Sequence, residues 1–191
     1  MSNSKVLIIY SSKRGSTKQY SEWLCESLSE FSNCSMVPYS ESKGIDLYEY
    51  DLILYGGWIR GSGIVDFDNL RKRLDGELLE KMIVYGVGIA NPSPENYMQV
   101  WSINLGKIDP KNKHKTLLYI LDGRYEPEQI TGFDKFLMKI VGKVLKSGST
   151  KSASKEAEMM EDRITNGCDL VKRENLDSLI KDCKKKLEKN I

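Results

Sequence analysis

The 191-residue chain holds one histidine, His114, and four cysteines, Cys25, Cys34, Cys168 and Cys183, with no CxxC pair among them. A zinc site of the usual spacing is therefore excluded, and free thiols are expected in place of a metal or a disulfide framework. No apolar run approaches the roughly 20 residues needed to cross a bilayer. The opening "MSNSKVLIIYSSK" carries too brief an apolar stretch for a signal peptide, so a cytoplasmic protein is expected. Excess charge is missing too: 29 Lys and Arg against 27 Asp and Glu leave a formal net charge of +2, which gives no footprint for nucleic acid. Two local absences carry more weight. There is no Asp or Glu from residue 52 to 65, and none from 82 to 94.

What is present is a rhythm. The run "KVLIIY" (5 to 10) is short, apolar and β-branched, as a strand covered on both faces requires. Tyr20, Trp23, Leu24, Leu28 and Phe31 then recur at three- and four-residue spacing and predict an amphipathic helix. "CSMVPY", "DLILYGG", "MIVYGVG" and "KTLLYILDG" predict four further strands. Helices are expected over "VDFDNLRKRLDGELLEK" and from Ser93 or Pro94 through "SPENYMQVWSINL". The last helix, "ENLDSLIKDCKKKLEKNI", places Leu176, Leu179, Ile180, Cys183 and Leu187 on one face. Alternation of this kind predicts an α/β domain built on a doubly wound, five-stranded parallel sheet with helices on both faces. The length suits one domain over residues 1–191. An insertion at about 123–172 breaks the rhythm. Within it "TGFDKFLMKIVGKVLK" spaces Phe133, Phe136, Leu137, Ile140, Val141, Val144 and Leu145 as a helix whose polar side is basic. Such a helix packs on the sheet, shelters a hydrophobic substrate or contacts an anionic membrane peripherally. The Ser/Lys-rich "SGSTKSASK" after it reads as a mobile hinge.

In an open α/β sheet, ligands sit beyond the carboxyl ends of the strands, so the loop after the first strand is a privileged place. There "YSSKRGSTKQY" delivers hydroxyls, two cations and a glycine to the start of a helix, whose first amides and positive dipole end suit an anion. The plainer alternative is that Ser16 caps the helix and the rest is turn chemistry. The loop has neither the GxxxxGK[ST] of a triphosphate loop nor the GxGxxG of a dinucleotide fold. The glycines at 56, 57, 61, 63, 86 and 88 gather at the ends of the third and fourth predicted strands, where they make tight turns or let backbone lie against a flat ring.

The stretch "IIYSSKRGSTK" resembles the first strand and T/S-x-T-G-x-T phosphate loop of the flavodoxin family, with Ser12, Gly15, Ser16 and Thr17 in matching places. Lys13 and Arg14 stand where small residues are usual. The resemblance implies a flavodoxin-like sheet in the order 2-1-3-4-5 and FMN as cofactor. Its phosphate would be held by Ser11, Ser12, Lys13, Arg14, Gly15, Ser16 and Thr17. Its ring would lie between Gly56, Gly57, Trp58, Ile59 and Gly61 on one side and Gly86, Val87, Gly88 and Asn91 on the other. Arg60 aligns where many flavodoxins stack a tryptophan, and Trp58 reads equally as packing or as a flavin neighbour. Tyr97 is a further candidate for the outer face. "GGWIRGSG" and "LDGRYEPEQITGFDKFLMKIVGKVLKSG" are similar to the flavodoxin-domain protoporphyrinogen oxidase group, which has an S-I-R-Y-G stretch and an insertion with an aromatic-Asp-Arg-Phe-x-x-Lys pattern.

Low-potential flavodoxins surround the ring with carboxylates, whereas this chain offers Arg60 there. A cation beside the ring favours the anionic reduced flavin. The expectation is an FMN-dependent oxidoreductase that moves electrons between a small donor and a quinone-like or porphyrinogen-like acceptor, with Arg60 as its catalytic cation. A single-electron carrier docking on redox partner proteins is the alternative. Tyr125 and His114 are acid–base candidates only if folding brings them to the cofactor, and His114 in "KNKHK" reads as an exposed loop residue.

Overall fold

The computed structural model describes residues 4–90, 93–112, 115–130, 132 and 155–189. Five strands form the parallel sheet: β1 (Lys5–Ser11), β2 (Asn33–Pro38), β3 (Leu52–Arg60), β5 (Met82–Gly88) and β6 (Leu117–Asp122). Their order is β2-β1-β3-β5-β6, and a short β4 (Gly63–Ile64) pairs antiparallel with the end of β3. With β4 set aside, this is the expected 2-1-3-4-5 arrangement, a flavodoxin-like fold. The first and third strands run in register from Val6 opposite Leu52 to Ser11 opposite Gly57. The third and fifth run from Ile53 opposite Met82 to Trp58 opposite Val87.

Because side chains alternate across a strand, each apolar run supplies two cores at once. Leu7, Ile9, Ile53, Tyr55 and Val84 point to one face and pack with Phe67, Leu70 and Val100. Val6, Ile8, Leu54, Ile83 and Tyr85 point to the other, against helix α1 (Ser16–Ser29) and the last helix (Asp177–Lys189). That face takes Leu24 and Leu28 from α1 and Leu179, Cys183 and Leu187 from the last helix, as their spacing predicts. Burial pushes the Cys183 thiol up to about 12, so it behaves as a small apolar side chain.

Residues 65–81 do not form the single helix expected of them. Two short helices, α2 (Phe67–Arg71) and α3 (Gly76–Glu80), take their place. Asp75 is the cause: its backbone is extended and its carboxylate accepts from the Leu78 amide at 3.0 Å, so the chain is capped and restarted there. Helix α4 (Pro94–Asn104) begins as expected, with Ser93 accepting from the Asn96 amide at 3.2 Å. The insertion contains an unforeseen two-stranded ribbon, β7 (Arg124–Tyr125) with β8 (Cys168–Asp169), and a helix, Lys155–Asn166. The sequence-predicted helix over 131–146, apart from Gly132, and most of the hinge lie outside the described residues. Tyr20 ties the return of the chain to the sheet: its hydroxyl donates to the Asp122 carbonyl at 2.7 Å and accepts from the Asn175 side chain at 2.7 Å.

Candidate functional site

The turn after β1 is made by Gly15, whose φ of 90° lies in the left-handed region that a side chain disfavours. Helix α1 starts at the next residue, so Gly15 and not Ser16 occupies the cap position, and no side chain caps it. The first helical bond runs from the Gln19 amide to the Gly15 carbonyl at 2.8 Å. The amides of Ser16, Thr17 and Lys18 therefore precede any acceptor within the helix and stand at its positive end. No acidic residue occupies that first turn. Ser16 and Thr17 are buried.

This turn rests on a layer of tyrosines. Ser21 donates to the Thr17 carbonyl at 2.8 Å, and the Tyr85 hydroxyl lies 2.7 Å from Ser21 Oγ, where it donates. Burial pushes the Tyr85 phenol up, which keeps its proton in place. The ring of Tyr85 has room only because Gly56 lies beneath it: a Cβ there would fall 2.1 Å from Tyr85 Cζ. On the other face, Tyr55 reaches the Val65 carbonyl at 2.5 Å and Ser11 Oγ at 3.2 Å. Ser11 itself donates to Asp66 at 2.7 Å.

Opposite the turn, β3 continues to Arg60 where the sequence suggests a loop after residue 57. It folds back through Gly61 and Ser62, with φ of 53° and 65°, into β4. Two positive-φ residues between paired strands make the tight hairpin turn that matches strand twist. Asn104, at the end of α4, clamps this hairpin. Its side-chain oxygen accepts from the Ile64 amide at 2.8 Å, and its nitrogen donates to the Ser62 carbonyl at 2.9 Å and to Val100 at 2.6 Å.

A cavity of about 370 Å³ lies between these parts, at the carboxyl end of the sheet. Its size falls within the roughly 300–1,000 Å³ of small-molecule sites. Ser12, Lys13, Arg14, Ser16 and Thr17 line one end. Trp58, Ile59, Arg60 and Gly61 come from the hairpin, and Val87 and Gly88 from β5. The insertion adds Arg124, Tyr125, Ile130 and Met160. Among the described residues four cationic side chains line the space, Lys13, Arg14, Arg60 and Arg124, and no carboxylate does. Lys13 sits over the Trp58 ring at 5.3 Å, and Arg124 pairs with Asp169 at 2.8 Å. Burial raises the Tyr125 phenol above its ordinary value, and the neighbouring Arg14 charge offsets only part of that rise.

Several candidates fall elsewhere. Gly56, Gly57 and Gly86 are interior strand residues and do not line the cavity. An added Cβ would meet Ile64 at 2.6 Å from Gly57 and Ile59 at 2.9 Å from Gly86, so all three are small because side chains cross them. The Ser11 hydroxyl is turned to Asp66 and Gly15 acts through its backbone; neither lines the cavity. Tyr97 is also outside it: its hydroxyl lies 3.4 Å from the Leu118 carbonyl over β6. Asn91 and His114 lie outside the described residues. Sequence reasoning missed Asn104, Ile130 and Met160. A buried asparagine four residues after Val100, on the inner stripe of α4, is the one signal that points to a clamp.

The donor set suits a phosphomonoester joined to a flat, largely apolar group: helix amides, the three hydroxyl residues Ser12, Ser16 and Thr17 and cations stand at one end, with Trp58, Ile59 and Val87 beyond. FMN is such a molecule. Among the described residues no cluster of ligating side chains could hold a metal ion, and no helix is long and apolar enough to cross a membrane.

No curated protein matches the chain. Solved structures resemble it distantly. A two-electron reduced flavodoxin from Megasphaera elsdenii is 13% identical, with 84% of this chain and 98% of that one covered and a TM-score of 0.40. A WrbA-like flavodoxin from Agrobacterium tumefaciens is 14% identical, with coverages of 60% and 76% and a TM-score of 0.41. A flavodiiron protein from Giardia intestinalis is 13% identical over 97% of this chain but only 37% of its own length, with a TM-score of 0.42. The family comparison goes further, because the profile described as "Flavodoxin domain" matches residues 7–153, from the first strand through the cavity-lining turns and into the insertion. With that span matched, the chain belongs to the flavodoxin-domain family.

Proposed function

We propose that this chain is an FMN-dependent oxidoreductase that exchanges electrons with a small molecule, a quinone-like or porphyrinogen-like acceptor being the class that suits its insertion. The observation that carries the proposal is the cavity lining: among the described residues, four cations and no carboxylate, set on a helix start that presents amides and hydroxyls. Bound FMN supplies the electron-carrying chemistry. The protein's part is to hold the phosphate at Ser12 and at the first turn of α1, where the helix dipole adds to the charges of Lys13 and Arg14. Trp58, Ile59 and Val87 exclude water from the ring. Arg60, at the rim of the hairpin, offers positive charge where negative charge grows on reduction. Tyr125 lines the same space from the insertion and would supply a phenol donor to a substrate oxygen.

A one-electron carrier of low potential needs the reverse electrostatics, with acids around the ring, and the described lining residues include none. The insertion argues for a substrate as well, because it supplies Tyr125, Ile130 and Met160 to a space the core alone would leave open. No nucleic-acid partner is proposed.

Purified protein titrated with FMN should bind it with a shifted visible spectrum. Its two-electron midpoint should lie at or above that of free FMN, and it should turn over with a quinone. Protoporphyrinogen as substrate distinguishes the finer class. A midpoint far below that of free FMN, with no turnover of any quinone, would overturn the reading.

A further inference from the structure

Arg163 does not line the cavity, yet it reaches the wall that does. Its Nη1 donates to the Ile89 carbonyl at 2.6 Å, a contact 74 residues apart in sequence. Ile89 lines the cavity with its neighbours Gly88 and Ala90. The helix that carries Arg163 is fixed at both ends of its final turn. Met160, three residues earlier and so on the same side, lines the cavity. Gly167 closes the helix by donating to the Arg163 carbonyl at 3.0 Å, and its φ of 81° lets it lie against the arm that holds Tyr125. A Cβ at Gly167 would sit 2.9 Å from the Tyr125 carbonyl oxygen. The guanidinium is thus delivered to Ile89 by backbone geometry as well as by its own reach.

A charged donor on a carbonyl does two things. It holds the peptide more firmly than a neutral donor would, and it draws electron density from the C=O toward the cation, which strengthens the next N–H as a donor. Here that next group belongs to Ala90. We propose that Arg163 is a positioning residue of the cofactor cavity: through the Ile89 carbonyl it fixes the 87–90 wall and makes it favour the reduced over the oxidised flavin. The proposal rests on the flavin reading above for its second half; its first half does not.

The test follows that division. In protein without flavin, amide hydrogen exchange of the 86–90 peptide is compared among wild type, Arg163→Lys and Arg163→Met. Exchange should be about tenfold faster in Arg163→Met and close to wild type in Arg163→Lys, which keeps a charged donor. With FMN bound, the ratio of reduced to oxidised affinity should fall about tenfold in Arg163→Met, which is about 30 mV for a two-electron couple. Arg163→Lys should recover most of it. Exchange indistinguishable from wild type in Arg163→Met, or an affinity ratio within threefold of it, overturns the proposal. If Arg163→Met does not fold, Arg163→Gln removes the charge but keeps an uncharged amide donor and is judged by the same two thresholds. Wild type that takes up no flavin would sink the flavin reading separately, and the exchange comparison would still decide whether Arg163 holds the wall.

Discussion

The phosphate turn and the wall that faces it are built in opposite ways. Ser12 to Thr17 draw their donors from consecutive residues at one strand end, so chain connectivity alone brings them together. The facing wall is collected from the β3–β4 hairpin, the end of β5, the β7 arm and a helix near residue 160. Nothing local forces those four pieces to meet. They meet because Asn104 clamps the hairpin, Tyr20 gathers the chain after β6, and Arg163 reaches Ile89. The turn should therefore fail only when its support beneath is disturbed, whereas the wall should loosen whenever one of its ties is cut.

The sharpest way to break that contrast is to attack the turn from below. Gly56→Ala adds a methyl that would fall 2.1 Å from Tyr85 Cζ, inside the sheet. The ring cannot retreat without giving up its bond to Ser21 and hence its support of the Thr17 carbonyl. We expect a loss of about 3 kcal/mol of stability, at the upper end of overpacking penalties. FMN affinity should fall with it, although Gly56 touches no part of the cavity. Chemical denaturation and FMN titration of the same variant check both, and a stable variant with unaltered affinity would show that the tyrosine layer does not support the turn.

The wall should respond differently. Asn104→Ala leaves the buried Ile64 amide and the Ser62 carbonyl without their partner. Two such groups cost about 2–3 kcal/mol together, less whatever water recovers. The hairpin that carries Trp58 to Gly61 would loosen while the turn stays intact. Turnover with a small acceptor should then fall more than FMN affinity does. Equal losses in both would mean that hairpin and turn act as one unit.

How much of this was legible in the sequence divides along the same line. The five strands, the apolar face of α1 and the Ser12–Thr17 turn were readable because each is written in a short, contiguous pattern, whereas the strand order came only as what the family resemblance implies. The single helix expected over 65–81 was misread because Asp75 serves as a cap only when Leu78 turns back toward it. The glycines were found, but for three of the six the packing that surrounds them was not. Gly56, Gly57 and Gly86 are small for side chains that cross from neighbouring strands, and no local pattern reports what lies on the next strand. Asn104 and Met160 belong to the wall only by tertiary contact. The polarity of the cavity, by contrast, was foreshadowed by the absence of acids in 52–65 and 82–94.

Lys13 links the two regions and yields the smallest expected effect. Its ammonium lies 5.3 Å from the centroid of Trp58, so a residue of the turn rests on a residue of the wall. Lys13 is exposed and Trp58 half-buried, which places the pair among solvent-facing cation–π contacts worth about 0.5–1 kcal/mol. Lys13→Gln removes the charge and keeps most of the length. Stability should drop by no more than that amount, and FMN affinity by about threefold, because the phosphate retains Arg14 and the helix amides. The fluorescence of Trp58, isolated by replacing Trp23 and Trp101 with Phe, should change on loss of the lysine in protein without flavin. If it does not, the two regions are joined only through the sheet, and the turn can be treated as independent of the wall that faces it.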